Sequence, residues 1–360
     1  MRPQGSAIIR EGAGHKMGCG DRLIVLRRFS FAAVLAVSFF GFGTSVSAQC
    51  EPDGDIQFVC GPVSPEDLIA IPDSPWVVVS SMVDDGYLSA TDNRDHSSTR
   101  LFPTSSSLAR HDTTAYPRCP GLVQTEFRPH GISVRPGRNG LHMLYVVRHG
   151  ARESIEIFEV DVSGSLPQLT WVGCAIAPEE LGLNAVVPLP EGGFAATSPR
   201  TSNVWEWHTD TGWTLLPGSE EIGPNGLEIS EDGQWFYVAG YGSQSVIRLS
   251  RGQTPVRKDT VVNVGFNIDN VHWASDGTLL AAGHSTPTRT RVGECMRERF
   301  CDGITSRVAR VNVELMTAQE IFTYTTNDSL LLGTAAIQVR DEIWVGGIAG
   351  GTRIARIQVP

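Results

Sequence analysis

Glu66, His130, Asn184, Asn225, Asp269 and Thr334 each open an apolar run. Each also stands seven positions before a turn residue, respectively Asp73, Gly137, Glu191, Asp232, Asp276 and Asp341. Asn270 follows directly on Asp269. Glu66, Asn184, Asn225, Asp269 and Asn270 are hard oxygen donors, two of them anionic. Calcium takes six to eight such oxygens at flexible geometry, whereas magnesium wants a tighter octahedron and zinc prefers nitrogen and sulfur. Two carboxylates neutralise a divalent ion, and three amides fill its shell without excess charge. Buried side by side with no cation, the two acids would be costly. Calcium is the ion expected here.

A calcium with open positions polarises a carbonyl or phosphoryl oxygen, and hydrolysis then needs an activated water. His130 shares the register, and an imidazole takes a proton near neutral pH. His149, in "VVRHGARESIEIF", is expected at the end of the neighbouring strand, where it could orient His130 or relay its proton.

The elements that must hold these residues are strands. Short β-rich runs separated by Gly, Pro, Asp and Ser clusters argue for an all-β chain. One phrase, an apolar run, a turn and a second apolar run, recurs over 69–81, 132–147, 186–197, 227–240, 271–283 and 337–348. Copies at spacings of roughly 40–65 residues predict a six-bladed β-propeller, with one four-stranded blade per copy. The innermost strand of every blade lines the channel, so equivalent positions form a ring on one axis, a central calcium site. Turn residues that merely flank strands would also be polar, but that does not account for the set Glu, His, Asn, Asn and Asp followed by Asn270.

The formal net charge is −10, which disfavours a nucleic-acid or anionic-membrane role. Residues 1–48 are expected to be a signal peptide. Arg22, Arg27 and Arg28 precede "FSFAAVLAVSFFGFG" (29–43), and small residues follow to Ala48, the pattern of a cleaved leader. Met17 is an alternative start, and retention of the segment as an anchor is the alternative fate. Residues 49–360 would form a single propeller, secreted or periplasmic and not inserted in a membrane. Cys50, Cys60, Cys119, Cys174, Cys295 and Cys301 are an even set that suits an oxidising compartment. Local pairs 50–60, 119–174 and 295–301 are plausible among the 15 connectivities that six cysteines allow.

"EDLIAIPDS", "RPHGISV", "YVVRHGARESIEIFEV", "PNGLEISEDGQWFYVAG" and "NIDNVHW" resemble the paraoxonase/arylesterase family, within the wider SMP-30/gluconolactonase-like six-bladed calcium propellers. The resemblance implies that Glu66, Asn184, Asn225, Asp269 and Asn270 hold a catalytic calcium. It matches His130 and His149 to a histidine dyad, and His284, in "AAGHST", to a histidine lining the substrate pocket, with Asn184 also facing substrate. The implied activity is hydrolysis of lactones, with aryl and organophosphate esters as further substrates. In the wider group the Asp matched by Asp269 is often assigned as nucleophile or base, so the resemblance leaves the dyad and Asp269 as alternatives.

Departures from the pattern matter. The family's second, structural calcium uses an Asp directly after the Asn matched by Asn184, and here that residue is Ala185. Asp67 and the Ile132 carbonyl match its other ligands, so a second ion is doubtful. The family also ties an N-terminal cysteine to one near the C-terminus. This chain ends "TRIARIQVP", so Cys50 must pair elsewhere. Substrate choice would rest on loops such as 84–118 and 286–304. The alternative function is a non-catalytic, calcium-stabilised propeller that binds a sugar or protein partner, and histidines at the axis argue against it.

Overall fold

A computed structural model describes residues 50–253 and 255–359; the expected signal peptide lies outside them. The described chain is a six-bladed β-propeller made of six sheets, antiparallel apart from one added outer strand. The innermost strands are Pro65–Ala70, Phe127–Arg138, Val186–Pro188, Pro224–Ile229, Asn267–Trp273 and Gly333–Val339, and each opens one recurrence of the sequence phrase. The second blade gains an extra outer strand, Leu108–Ala109, paired in parallel with Thr170 and Trp171.

The sixth blade is completed from the other end of the chain. Its first three strands are C-terminal, and its outermost is Gln57–Cys60, antiparallel to Arg353–Gln358. This pairing closes the ring by joining the first and last described strands in one sheet. The disulfide Cys50–Cys60 ties the N-terminal segment to that strand. The other bridges are Cys119–Cys174 and Cys295–Cys301, so the local pairing is the one formed.

The core is divided among the gaps between blades. One cluster joins Val78, Leu88 and Ile132, Phe158 across the first and second blades. Another joins Val59, Trp344 and Leu68, Val77 across the sixth and first. Strands packed on both faces read as continuous apolar runs rather than as strict alternation, and Trp76–Ser81 is buried at every position.

Register shifts interrupt the inner hairpins at Pro65/Asp67, Pro129/Ile132, Pro224/Leu227, Ile268/Asn270 and Gly333/Ala336. Glu66, His130, Asn225, Asp269 and Thr334 fall inside these irregularities. A bulge breaks the ladder locally and re-aims a side chain, which is how a polar residue leaves an otherwise apolar strand. The pairing of Asn267 with His284 places the adjoining loop, 286–304, at the ring end of the channel. That loop contains the helix Arg289–Glu298, and the Cys295–Cys301 bridge staples the helix to the end of the loop.

Candidate functional site

The glycine after His130 lets neighbouring inner strands converge. Gly131 N–H donates to the Asn184 carbonyl at 3.1 Å, and a Cβ on Gly131 would lie 2.4 Å from that oxygen. Gly226, after Asn225, repeats the device, since its Cβ would lie 2.6 Å from the Asn270 Cα. Ring residues from adjacent blades are thereby drawn together.

The ring is buried and under-satisfied. Glu66 is 1% exposed and Asn270 2%; Asn270 Nδ2 donates to Glu66 Oε1 at 2.9 Å. The Thr334 hydroxyl donates to the Glu66 carbonyl at 2.6 Å, so Thr334 fixes the backbone of the ring. Glu66 Oε2, Asn184 Oδ1 and Asn225 Oδ1 are buried acceptors with no hydrogen-bond partner. An orphaned buried acceptor costs about 1–3 kcal/mol, and three from three blades mark a place for a shared positive partner. Burial, then Asp67 and Asp269, push the Glu66 carboxyl well above the usual range. Burial likewise lifts Asp269 to about 7, opposed by a hydrogen bond with Asn225 and reinforced by Asp67. A hard divalent cation answers all of these at once. No group of three or more His, Cys, Asp and Glu side chains suited to a metal occurs among the described residues. The donors are thus two acids and three amides, a set for an oxygen-loving ion.

Beside the ring stands an ordered chain of three side chains. His130 Nδ1 lies 2.8 Å from His149 Nε2, and His149 Nδ1 lies 2.8 Å from Glu153 Oε2. Glu153 Oε1 accepts the Leu183 N–H at 2.6 Å, which pins the carboxylate one residue before Asn184. A carboxylate only accepts, so His149 donates from Nδ1 and accepts at Nε2. His130 then donates from Nδ1, and its Nε2 lone pair faces the ring, 3.3 Å from Asn184 Nδ2 and 3.5 Å from Glu66 Oε1. Burial, His149 and Arg128 hold the His130 pKa well below the usual histidine value, leaving it a free base at neutral pH. Arg128 and Gly150 flank the two histidines and line a 260 Å³ cleft with Asp84, Asp85 and Glu126.

The remaining assigned residues meet other fates. His284 is 1% exposed, with both nitrogens taken. Its Nδ1 donates to the Gly333 carbonyl at 3.0 Å, and its Nε2 accepts the Tyr241 hydroxyl at 2.7 Å. Burial holds its pKa down at about 4. The doubtful second calcium does not fit the residues present. Asp67 Oδ2 accepts the Ile132 N–H at 2.8 Å. Its Oδ1 accepts the Leu68 N–H at 2.8 Å and meets His272 Nε2 at 2.7 Å. Burial opposes the charge of His272, but Asp67 and Glu228 lift its pKa to about 10. Ala185 is buried and offers no side-chain donor.

Glu153, Tyr241 and His272 carry no signal of a role in the sequence. Glu153 lies four residues beyond His149 across a turn, a spacing with no periodic signature. His272 reads as one polar residue in the run "VHW".

No protein-family model matches the chain. It is 26% identical over 240 residues to serum paraoxonase/lactonase 3 of Homo sapiens, which is 61% of this chain and 65% of that protein. The match therefore spans just under two thirds of the human protein's length. A gluconolactonase from Xanthomonas campestris has a similar structure, with TM-score 0.52 and 14% identity, covering 84% of this chain and 89% of that one. A luciferin-regenerating enzyme gives TM-score 0.51 at 10% identity, covering 84% and 92%. At these identities the structural likeness is one of fold.

Proposed function

We propose that this chain, a paraoxonase/lactonase homologue among the gluconolactonase-like six-bladed propellers, is an exported, calcium-dependent hydrolase that opens lactones. Aryl and organophosphate esters are further candidate substrates. The observation that carries the proposal is the set of orphaned buried oxygens of Glu66, Asn184 and Asn225 next to a free imidazole nitrogen of His130. The three disulfides suit an exported protein. No helix among the described residues is long and apolar enough to cross a membrane.

Glu66, Asn184, Asn225, Asp269 and Asn270 would hold the calcium, which when bound supplies Lewis-acid polarisation of a substrate carbonyl. His130 takes a proton at Nε2 from a water that attacks the carbonyl carbon. As it does so, its Nδ1 proton is shared toward His149 Nε2, and the Glu153 carboxylate steadies the charge that develops on the pair. The carbonyl regains its double bond as the ring C–O bond breaks. The departing alkoxide recovers the proton, giving a hydroxy acid. Tyr241, aimed by its bond to His284, is a candidate substrate contact, so His284 would act through it.

Asp269, the second carboxylate of the ring, is the alternative base. The reading is tested by hydrolysis of a panel of γ- and δ-lactones and aryl esters by the purified protein. Ring opening of at least one lactone is expected, and no turnover of any lactone overturns it.

A further inference from the structure

Next to the ring residues, three more titratable groups converge on the channel, none of them used by the proposed chemistry. Asp67 comes from the first blade, His272 from the fifth and Glu228 from the fourth. His272 Nε2 meets Asp67 Oδ1 at 2.7 Å, and His272 Nδ1 lies in a looser contact 3.3 Å from Glu228 Oε1. Asp67 is 2% exposed and His272 7%. Asp67 also accepts the Ile132 N–H from the second blade, so four blades are tied through one carboxylate–imidazole–carboxylate clamp.

We infer that this clamp takes the place of a second metal ion, and that the channel of this chain binds one calcium, in the ring of Glu66, and no other. The inference rests on the ring reading only for the count of one. A metal at Asp67 would need free carboxylate lone pairs and further anionic donors. Asp67 instead has both oxygens engaged by N–H donors, and Ala185 contributes no oxygen. A carboxylate accepts and never donates when ionised. The His272 nitrogen 2.7 Å from Asp67 Oδ1 therefore donates to it, and the lone pair it occupies is not open to a metal. The imidazole is part of the inner strand of the fifth blade, so chelation cannot remove it as it removes a metal.

The test is metal analysis of the full purified chain saturated with calcium chloride and freed of excess ion, paired with thermal melting of the wild type and His272→Gln. One calcium per chain is expected in both proteins. His272→Gln should melt about 5 °C or more below the wild type, because half of a buried pair is lost, with no recovery in added calcium. Two ions per wild-type chain overturn the inference. So does a His272→Gln protein that melts like the wild type, or one that regains the wild-type Tm when calcium is raised. A count of zero also overturns the inference, and lactone turnover measured on the same sample shows separately whether the protein is a hydrolase. If His272→Gln does not fold, the wild-type count alone decides.

Discussion

His130 Nδ1 lies 2.8 Å from His149 Nε2, and this contact orders every proton in the candidate site. Because His149 gives its Nδ1 proton to Glu153 and accepts at Nε2, the free lone pair of the pair is left on His130 Nε2, beside Asn184 and Glu66. The dyad has one basic end and one anchored end. The basic end is the one that faces the ring.

The first expected outcome concerns that basic end. Replacing His130 by Gln should lower kcat on a lactone by about 10²-fold or more, the usual worth of a positioned base, with calcium still bound. If His130→Gln keeps turnover while Asp269→Asn abolishes it with metal in place, Asp269 is the base and the dyad is not.

Glu153→Gln tests the anchored end. The amide can still fill the space and can accept from His149, but it cannot stabilise the charge that develops on the histidine pair. A fall in kcat of about 10-fold with little change in KM is expected. Glu153→Asp should recover part of the loss. Unchanged kcat in Glu153→Gln would show that the acid has no positioning role.

His284 makes stability depend on pH. Its folded-state pKa, about 4, lies below the unfolded value of about 6.5. The unfolded chain therefore binds a proton first as pH falls. Its contribution is intact above pH ~6.5 and is progressively lost between there and about 4. His284→Gln should flatten this part of a denaturation-versus-pH profile, and an equal slope in both proteins would contradict it.

Gly226→Ala tests the convergence of inner strands. A methyl placed 2.6 Å from the Asn270 Cα forces backbone to move, an overpacking typically costing about 1–3 kcal/mol. The variant should melt lower and bind calcium more weakly, because Asn225 and Asn270 are pushed apart. Calorimetric titration reads the affinity; an unchanged value would mean that the close approach does not shape the ring.

Much of this architecture is legible in the chain because each blade repeats one hairpin. The shared register of Glu66, His130, Asn184, Asn225 and Asp269 therefore points to a common axis. The bulges that turn these residues inward are not legible, since a bulge depends on which strand pairs alongside. Glu153 and Tyr241 are hidden for a related reason: they reach their histidines across a turn or from another blade, with no periodic signal. The closing strand Gln57–Cys60 escapes notice because its partner, Arg353–Gln358, lies at the far end of the chain. The doubt over a second calcium is legible at Ala185, but the group that engages Asp67 there, His272, stands inside an apolar run and reads as a strand residue.

The most direct measurement takes one sample of wild-type protein through chelation and calcium restoration, reading bound calcium and the turnover of a single δ-lactone at each step. Turnover should fall with the bound ion, return with it and track it in proportion. Lactone hydrolysis that persists after the ring is stripped of calcium would contradict the ring of Glu66, Asn184, Asn225, Asp269 and Asn270 as the metal centre of the reaction.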